Sequence, residues 1–255
     1  MKLEGKMALV TGGGTGLGRA IVLALAGEGA SVAVNYSKSE AAARDTALSA
    51  QKAGVTAITV PGDVSRDSEA RALVDRAAQE LGGLDVVVNN AGWTRRVPHE
   101  ELDGLTDELW ERVMGVNVRG AFYCVRAAVP HMERRGGGVV VNITSVAAMT
   151  GGGSSMAYAA SKAALGTLTI ALARALAPKK IRVNAVAPGL LATGFGGGFI
   201  SDGMLEAVAA STAVGRPATV EECAQAVLHL VTNGSMTGST MIVDGGLTAL
   251  GPRDR

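Results

Sequence analysis

The sequence predicts an α/β fold, a seven-stranded parallel sheet that is doubly wound and carries helices on both faces. Three observations predict it. Short β-branched runs recur seven times along the 255 residues, long segments of helical periodicity separate them, and a glycine run follows the first strand. Strands that alternate with helices are joined by right-handed crossovers, which cover both faces of the sheet. Strands buried on both sides read as unbroken apolar runs, as in Val86-Val87-Val88 and Val139-Val140-Val141.

The first strand is Met7 to Val10, followed by TGGGTGLG at Thr11 to Gly18. Gly12, Gly16 and Gly18 permit a tight turn around Thr15, and the helix starting near Leu17 turns free N–H groups and a positive dipole end toward an anion. The second strand, Ser31 to Asn35, ends in Asn35-Tyr36-Ser37-Lys38, which contains no acid. The third, Thr56 to Val60, leads through Asp63-Val64 to a helix from about Ser65, for which Asp63 is a candidate cap. The fourth, Asp85 to Asn89, runs into Asn90-Ala91-Gly92. Asn117 falls in a helix interior, where its propensity is poor. Gly136 reads as a helix stop before the fifth strand, Val139 to Ile143, and Ser145 lies just past that strand. A small, apolar helix over Ala157 to Ala177 carries Tyr158 and Lys162. The sixth strand, Arg182 to Val186, precedes Pro188-Gly189, and Met241 to Val243 forms the seventh. Ligands of such sheets bind outside the carboxyl ends of the strands, so Gly18, Asn89, Ser145 and Pro188 converge on one crevice.

No stretch reads as a linker, which predicts one domain over 1–255, with a lid over about 190–215 that Phe195, Phe199 and Met204 could line. Lys plus Arg number 24 against 23 Asp plus Glu, a balance that makes no electrostatic case for nucleic acid or an anionic membrane surface. The expected partner is a small molecule. Cys124 and Cys223 lie far apart in helical stretches, as buried thiols of a reducing compartment would. His99, His131 and His229 lack metal-ligand spacing and sit in stretches that read as solvated, so no metal is expected. Met1 to Val10 lacks the apolar core of a signal peptide, and no uninterrupted run of about 18 apolar residues predicts a membrane span. A cytoplasmic protein is the expectation.

Tyr158 and Lys162 are four residues apart and share a helix face. A tyrosine with a reference pKa of about 10 is a poor base at neutral pH, and a fixed ammonium nearby lowers that pKa. Alone, the pair is equally an aromatic ring beside a salt-bridging neighbour in an ordinary amphipathic helix. Its company decides. With TGGGTGLG, Asn89 to Gly92, Asn117, Ser145 thirteen residues before Tyr158, and Pro188-Gly189 in this order, the chain resembles the short-chain dehydrogenase/reductase family. The resemblance runs from Lys6 to Val243-Asp244-Gly245-Gly246, and the chain is similar to the family's 3-oxoacyl-acyl-carrier-protein reductases and glucose-dehydrogenase-like members.

The resemblance implies a Rossmann-type domain and an oxidoreductase that interconverts a ketone and a secondary alcohol by hydride transfer. Tyr158 would be its acid/base, Ser145 would polarise the carbonyl, and Thr144 is the weaker candidate on spacing. Lys162 would lower the Tyr158 pKa and hold the nicotinamide ribose, and Asn117 would hold a water that relays protons to Lys162. Asp63, with Val64 beside it, would hydrogen-bond the adenine amino group, and the turn of Asn90, Ala91 and Gly92, mainly architectural, would stabilise the central sheet and border the adenosine ribose. Pro188, Gly189 and Thr193 would fix the carboxamide. Ser37 and Lys38 offer a hydroxyl and a cation where an acid would bind a ribose 2'-hydroxyl, which favours NADP(H), with NAD(H) as the alternative. Trp93, Arg95 and Arg96 either border the substrate entrance or form an exposed loop. The apolar Tyr158 helix implies a homotetramer of dihedral symmetry. A cofactor-binding sensor or scaffold without catalysis is a second reading, and an NAD-preferring alcohol or sugar dehydrogenase a third. An enoyl reductase is disfavoured by the four-residue Tyr–Lys spacing.

Overall fold

The computed structural model describes residues 3–191 and 201–250, with the backbone alone for Asp202 and Met204. Strands β1 (Met7–Val10), β2 (Ser31–Tyr36), β3 (Ala57–Pro61), β4 (Val86–Asn89), β5 (Gly138–Ile143), β6 (Ile181–Pro188) and β7 (Thr240–Val243) form one sheet in the order β3-β2-β1-β4-β5-β6-β7. Every neighbouring pair is parallel. The expected doubly wound sheet is present, and the expected strands are displaced by no more than two residues at any end.

Both faces of the sheet are apolar for a reason visible in the register. Ala8, Val10, Val32, Val34, Val86, Val88, Val139 and Val141 point to one side, where helices α1 (Gly16–Gly27), α2 (Glu40–Gln51) and α9 (Val220–Thr232) supply Ile21, Leu25, Ala47, Val227 and Leu230. Leu9, Ala33, Val87, Val140 and Val183 point to the other side. There α3 (Asp67–Leu81), α5 (Ala121–Arg134) and α7 (Met156–Leu176) contribute Leu73, Val74, Val125, Met132 and Leu176. Alternate side chains of one strand thus enter two different cores. Truncating a residue such as Leu9 or Leu25 to Ala would cost about 2–5 kcal/mol.

The remaining helices serve the rim at the carboxyl ends of the strands. Helix α4 (Asp107–Met114) joins α5 through a π-helical turn at Gly115–Gly120, not through the regular helix interior expected around Asn117. Short α6 (Ala147–Thr150) follows β5, α8 (Asp202–Ser211) occupies part of the expected lid, and α10 (Leu247–Leu250) follows β7. Residues 192–200 of that lid, with Thr193, Phe195 and Phe199, lie outside the described residues, as does the Met204 side chain. Together with the turn after it, α7 is long and apolar enough to cross a membrane by length and composition. It packs on β6, α6 and α4 with Ser161, Lys162, Leu165 and Thr169 buried, as a core helix does.

Candidate active site

The glycine turn is shaped by close packing. Gly12 and Gly16 adopt φ of +60° and +50°, the left-handed region that favours glycine. A Cβ on Gly18 would lie 2.2 Å from the Gly12 carbonyl oxygen, so the start of α1 can seat on the turn only without one. The unremarked glycines matter as well: a Cβ on Gly13 would press on Val34, and one on Gly14 would come 2.9 Å from the backbone nitrogen of Ala43 in α2. At Gly16, by contrast, nothing lies within 4 Å. Thr15, at the cap position of α1, makes no side-chain capping bond, and no acid occupies the first turn. Open space beside uncapped N–H groups fits a diphosphate.

Polar side chains expected beside the cofactor also build this turn. Asn35 is buried; its Oδ1 accepts from the Gly12 N–H at 3.3 Å, while Nδ2 donates to the carbonyls of Val60 and Gly62, both at 3.1 Å. Asn90 Nδ2 donates to the Thr11 and Gly12 carbonyls at 3.0 Å. Thr11, missed in sequence, accepts from the N–H groups of Asn90 and Ala91. Tyr36 packs on the core, and Ser37, Lys38, Ser39 and Glu40 are exposed past β2. The first acid there, Glu40, is paired with Arg44 at 2.6 Å. Asp63 Oδ1 accepts from the N–H and hydroxyl of Ser65, as a turn cap does. Burial pushes the Asp63 carboxyl up, but the Ser65 bonds and the Arg112 and Arg66 cations outweigh it and hold it below the usual range. Val64 packs against Gly120 in the π-helical turn.

At the other end of the rim, Ser145, Tyr158 and Lys162 are brought together. The Ser145 hydroxyl is hydrogen-bonded to Tyr158 and accepts the Ala147 N–H at 3.1 Å. Thr144 instead bonds the Val186 carbonyl through both its N–H and its hydroxyl, which removes it as an alternative to Ser145. Lys162 is buried, with Nζ 5.6 Å from the Tyr158 ring centroid and donating to the Ile143 carbonyl at 2.7 Å. Burial pushes its ammonium down to about 8. The expected lowering of the Tyr158 pKa is not found. Burial raises it, the Ser145 bond only partly opposing.

Asn117 is held on both sides. Its Oδ1 accepts from the Trp93 N–H at 2.7 Å, and Nδ2 donates to the Trp93 carbonyl and to Ser161 Oγ. Ser161 in turn donates to the Tyr158 carbonyl at 2.7 Å. The amide therefore clamps the loop after β4 to α7, and both its donors are engaged away from Lys162. Ser161 was missed in sequence, where a serine inside Tyr-x-x-x-Lys was the available signal; Trp93, expected at the substrate entrance or in an exposed loop, is held through its backbone. Gly189 sits so close to Asp244 that a Cβ would come within 3.0 Å, and its N–H donates to the Val243 carbonyl. The Pro188 carbonyl accepts from Val146, tying β6 to the loop after Ser145.

Groups outside the crevice are quiet. Burial pushes the Cys124 thiol up to about 12; burial and the Glu222 charge do the same for Cys223. Both are inert as nucleophiles. His131 bonds Asp75 and Arg134, whereas His99 is less solvated than expected, with a buried Nε2 that has no partner among the described residues.

The family model described as enoyl-(acyl carrier protein) reductase matches residues 12–248. A ketoacyl reductase assigned to the granaticin polyketide synthase of Streptomyces violaceoruber is 41% identical over 245 residues, 95% of this chain and 96% of its own. The 3-oxoacyl-acyl-carrier-protein reductase of Staphylococcus aureus is 35% identical, covering 95% of this chain and 98% of its own. Among solved structures, a short chain dehydrogenase of Burkholderia cenocepacia J2315 in complex with NADP is 35% identical. It superposes with a TM-score of 0.89 over 98% of this chain and all of that one. The chain belongs to the short-chain dehydrogenase/reductase family of nicotinamide-dependent oxidoreductases.

Proposed function

We propose that this protein is an NADP(H)-dependent reductase that converts a ketone to a secondary alcohol, with Tyr158 as the proton donor. The observation that carries the reading is the Ser145–Tyr158 hydrogen bond above the buried Lys162. A bound nicotinamide supplies the hydride. The chain supplies the rest. The turn from Gly12 to Gly18 and the N-terminus of α1 would hold the diphosphate, Asp63 and Val64 would lie beside the adenine, and Gly189 would lie beside the carboxamide. Ser145 donates to the carbonyl oxygen of the substrate and so stabilises the negative charge that develops there.

Tyr158 then gives its proton to that oxygen. Its raised pKa keeps it protonated at neutral pH, the form that reduction needs. Lys162, held as an ammonium below about pH 8, supplies the positive charge that favours the phenolate left behind. Ser37 and Lys38, exposed where no acid stands, support NADP(H) over NAD(H), as does the NADP-bound relative from B. cenocepacia. A ketone is favoured over the enoyl substrate of the family description because the ketoacyl reductases of S. violaceoruber and S. aureus align over nearly their whole length. The reading takes the chain as one domain that works in the cytoplasm as a homotetramer, with the exposed stripe Ala160, Ala163, Thr167, Ile170 and Arg174 of α7 against a second copy.

Absorbance of the reduced nicotinamide tests the reading directly, with NADPH and NADH supplied separately against 3-oxoacyl thioesters, cyclic ketones, diketones and sugars. Turnover should require NADPH and fall about 1,000-fold in Tyr158→Phe. Undiminished turnover in that variant would contradict the assignment.

A further inference from the structure

Most serine and threonine hydroxyls along the rim bond to the backbone. Thr46 donates to the Gly14 carbonyl, Thr144 to that of Val186 and Ser161 to that of Tyr158, while Ser155 accepts the Tyr158 N–H. Such local bonds are the ordinary use of these side chains. Thr94 and Ser154 depart from it. Their hydroxyl oxygens lie 2.5 Å apart and bond to each other alone among the described residues, although both side chains are only half-buried.

The position of the pair beside Tyr158 is set from both sides. Ser154 stands between Gly153 and Ser155. A Cβ on Gly153 would come 3.3 Å from Cδ1 of the Tyr158 ring, and Ser155 caps the Tyr158 backbone at 3.2 Å. Thr94 follows Trp93, whose N–H and carbonyl are both held by Asn117. The two loops are then joined by the Val97 N–H, which donates to the Ser154 carbonyl at 2.9 Å.

We propose that the Thr94–Ser154 hydroxyl pair is a recognition site for a second, uncharged oxygen of the substrate, next to the carbonyl held by Ser145 and Tyr158. This rests on the reductase reading above. Two hydroxyls carry two hydrogens, and one is shared between them. The pair therefore keeps one free O–H donor and several lone pairs, enough to donate to a carbonyl or to accept from a hydroxyl. It carries no charge to attract a carboxylate, and the neighbouring Arg95 is turned to the Gly104 carbonyl. A thioester carbonyl and a free hydroxyl share the required chemistry.

The test compares kcat/KM with NADPH for three ketones in the full-length enzyme: a 3-oxobutanoyl thioester of N-acetylcysteamine, 3-hydroxy-2-butanone, and 2-butanone, which lacks the second oxygen. In Thr94→Val/Ser154→Ala, the preference for an oxygenated ketone over 2-butanone should fall about tenfold, mainly through KM. Thr94→Ser, which keeps the hydroxyl, should retain that preference and also guards against a folding defect in the double variant. Loss for the thioester alone would assign a carbonyl as the second oxygen; loss for the hydroxyketone alone would assign a hydroxyl. An unchanged preference, or an equal loss for all three ketones, would overturn the inference while leaving the reductase reading intact. Failure of the unsubstituted enzyme on every ketone would overturn both.

Discussion

Around the glycine turn, where Asn35 and Asn90 tie the backbone, the close approaches of the helices are set by side chains that are absent: Gly18 seats α1 on the Gly12 carbonyl, and Gly14 lets α2 approach. At the Tyr158 end, position is set by buried polar side chains. Asn89 donates to Asn142, which donates to Thr169, and Asn117 bridges Trp93 and Ser161. The difference follows from what each end must hold. A diphosphate needs room and backbone N–H groups, which glycine provides, whereas a proton donor must be oriented to a fraction of an ångström, which only directional bonds achieve. The first end should therefore be intolerant of added bulk, and the second of a lost polar atom.

The largest effect expected from breaking that contrast is at Gly18. Gly18→Ala forces a methyl onto the Gly12 carbonyl and should cost about 3 kcal/mol in urea unfolding along with nucleotide affinity. Gly16→Ala meets open space and only left-handed backbone strain, about 1 kcal/mol, so equal losses in the two variants would show that packing does not shape the turn.

Asn117→Leu, which keeps the bulk but not the amide, strands both backbone groups of Trp93. It should lose about 2 kcal/mol of stability and about 100-fold in kcat, with the NADPH dissociation constant little moved. A fall in NADPH affinity equal to that in kcat would mean that the clamp serves the whole crevice.

Lys162 should separate stability from activity. Its folded pKa lies below that of the unfolded chain, so between about pH 8 and 10.5 the unfolded state binds more protons and stability rises with pH. Below pH 8 the full burial penalty is present, about 3 kcal/mol, offset by about 1 kcal/mol from the bond to Ile143. Lys162→Met should thus melt higher than the parent at pH 7 while losing turnover, and a lower melting temperature would refute the sign. The parent's kcat/KM for reduction should decline as pH rises through about 8.

The smallest shift is expected at the exposed Lys38. Lys38→Glu should change the NADPH to NADH preference about tenfold with stability unaltered, and a smaller change would place the 2'-phosphate elsewhere.

Much of this was legible in the chain. Periodicity located all seven strands, since a strand buried on both faces reads as an unbroken apolar run such as Val86 to Val88. Ser145, Tyr158 and Lys162 were legible because they stand with TGGGTGLG, Asn89 to Gly92 and Pro188-Gly189 in the order of the family that the chain resembles. Side-chain direction was not legible. Asn35 and Asn90 lie in the expected places but point into the fold, because the backbone groups around the glycine turn need partners.

By itself the sequence determined the sheet, its order of elements and the residues that meet at the rim, because these depend on periods of two and 3.6 that local chemistry sets. Tertiary structure alone decided which polar atoms face inward, that Asn117 clamps Trp93 to Ser161, and that burial raises Tyr158 and lowers Lys162. The reason is physical: desolvation and hydrogen-bond partnership belong to the space around a group, and residues far apart in the chain define that space.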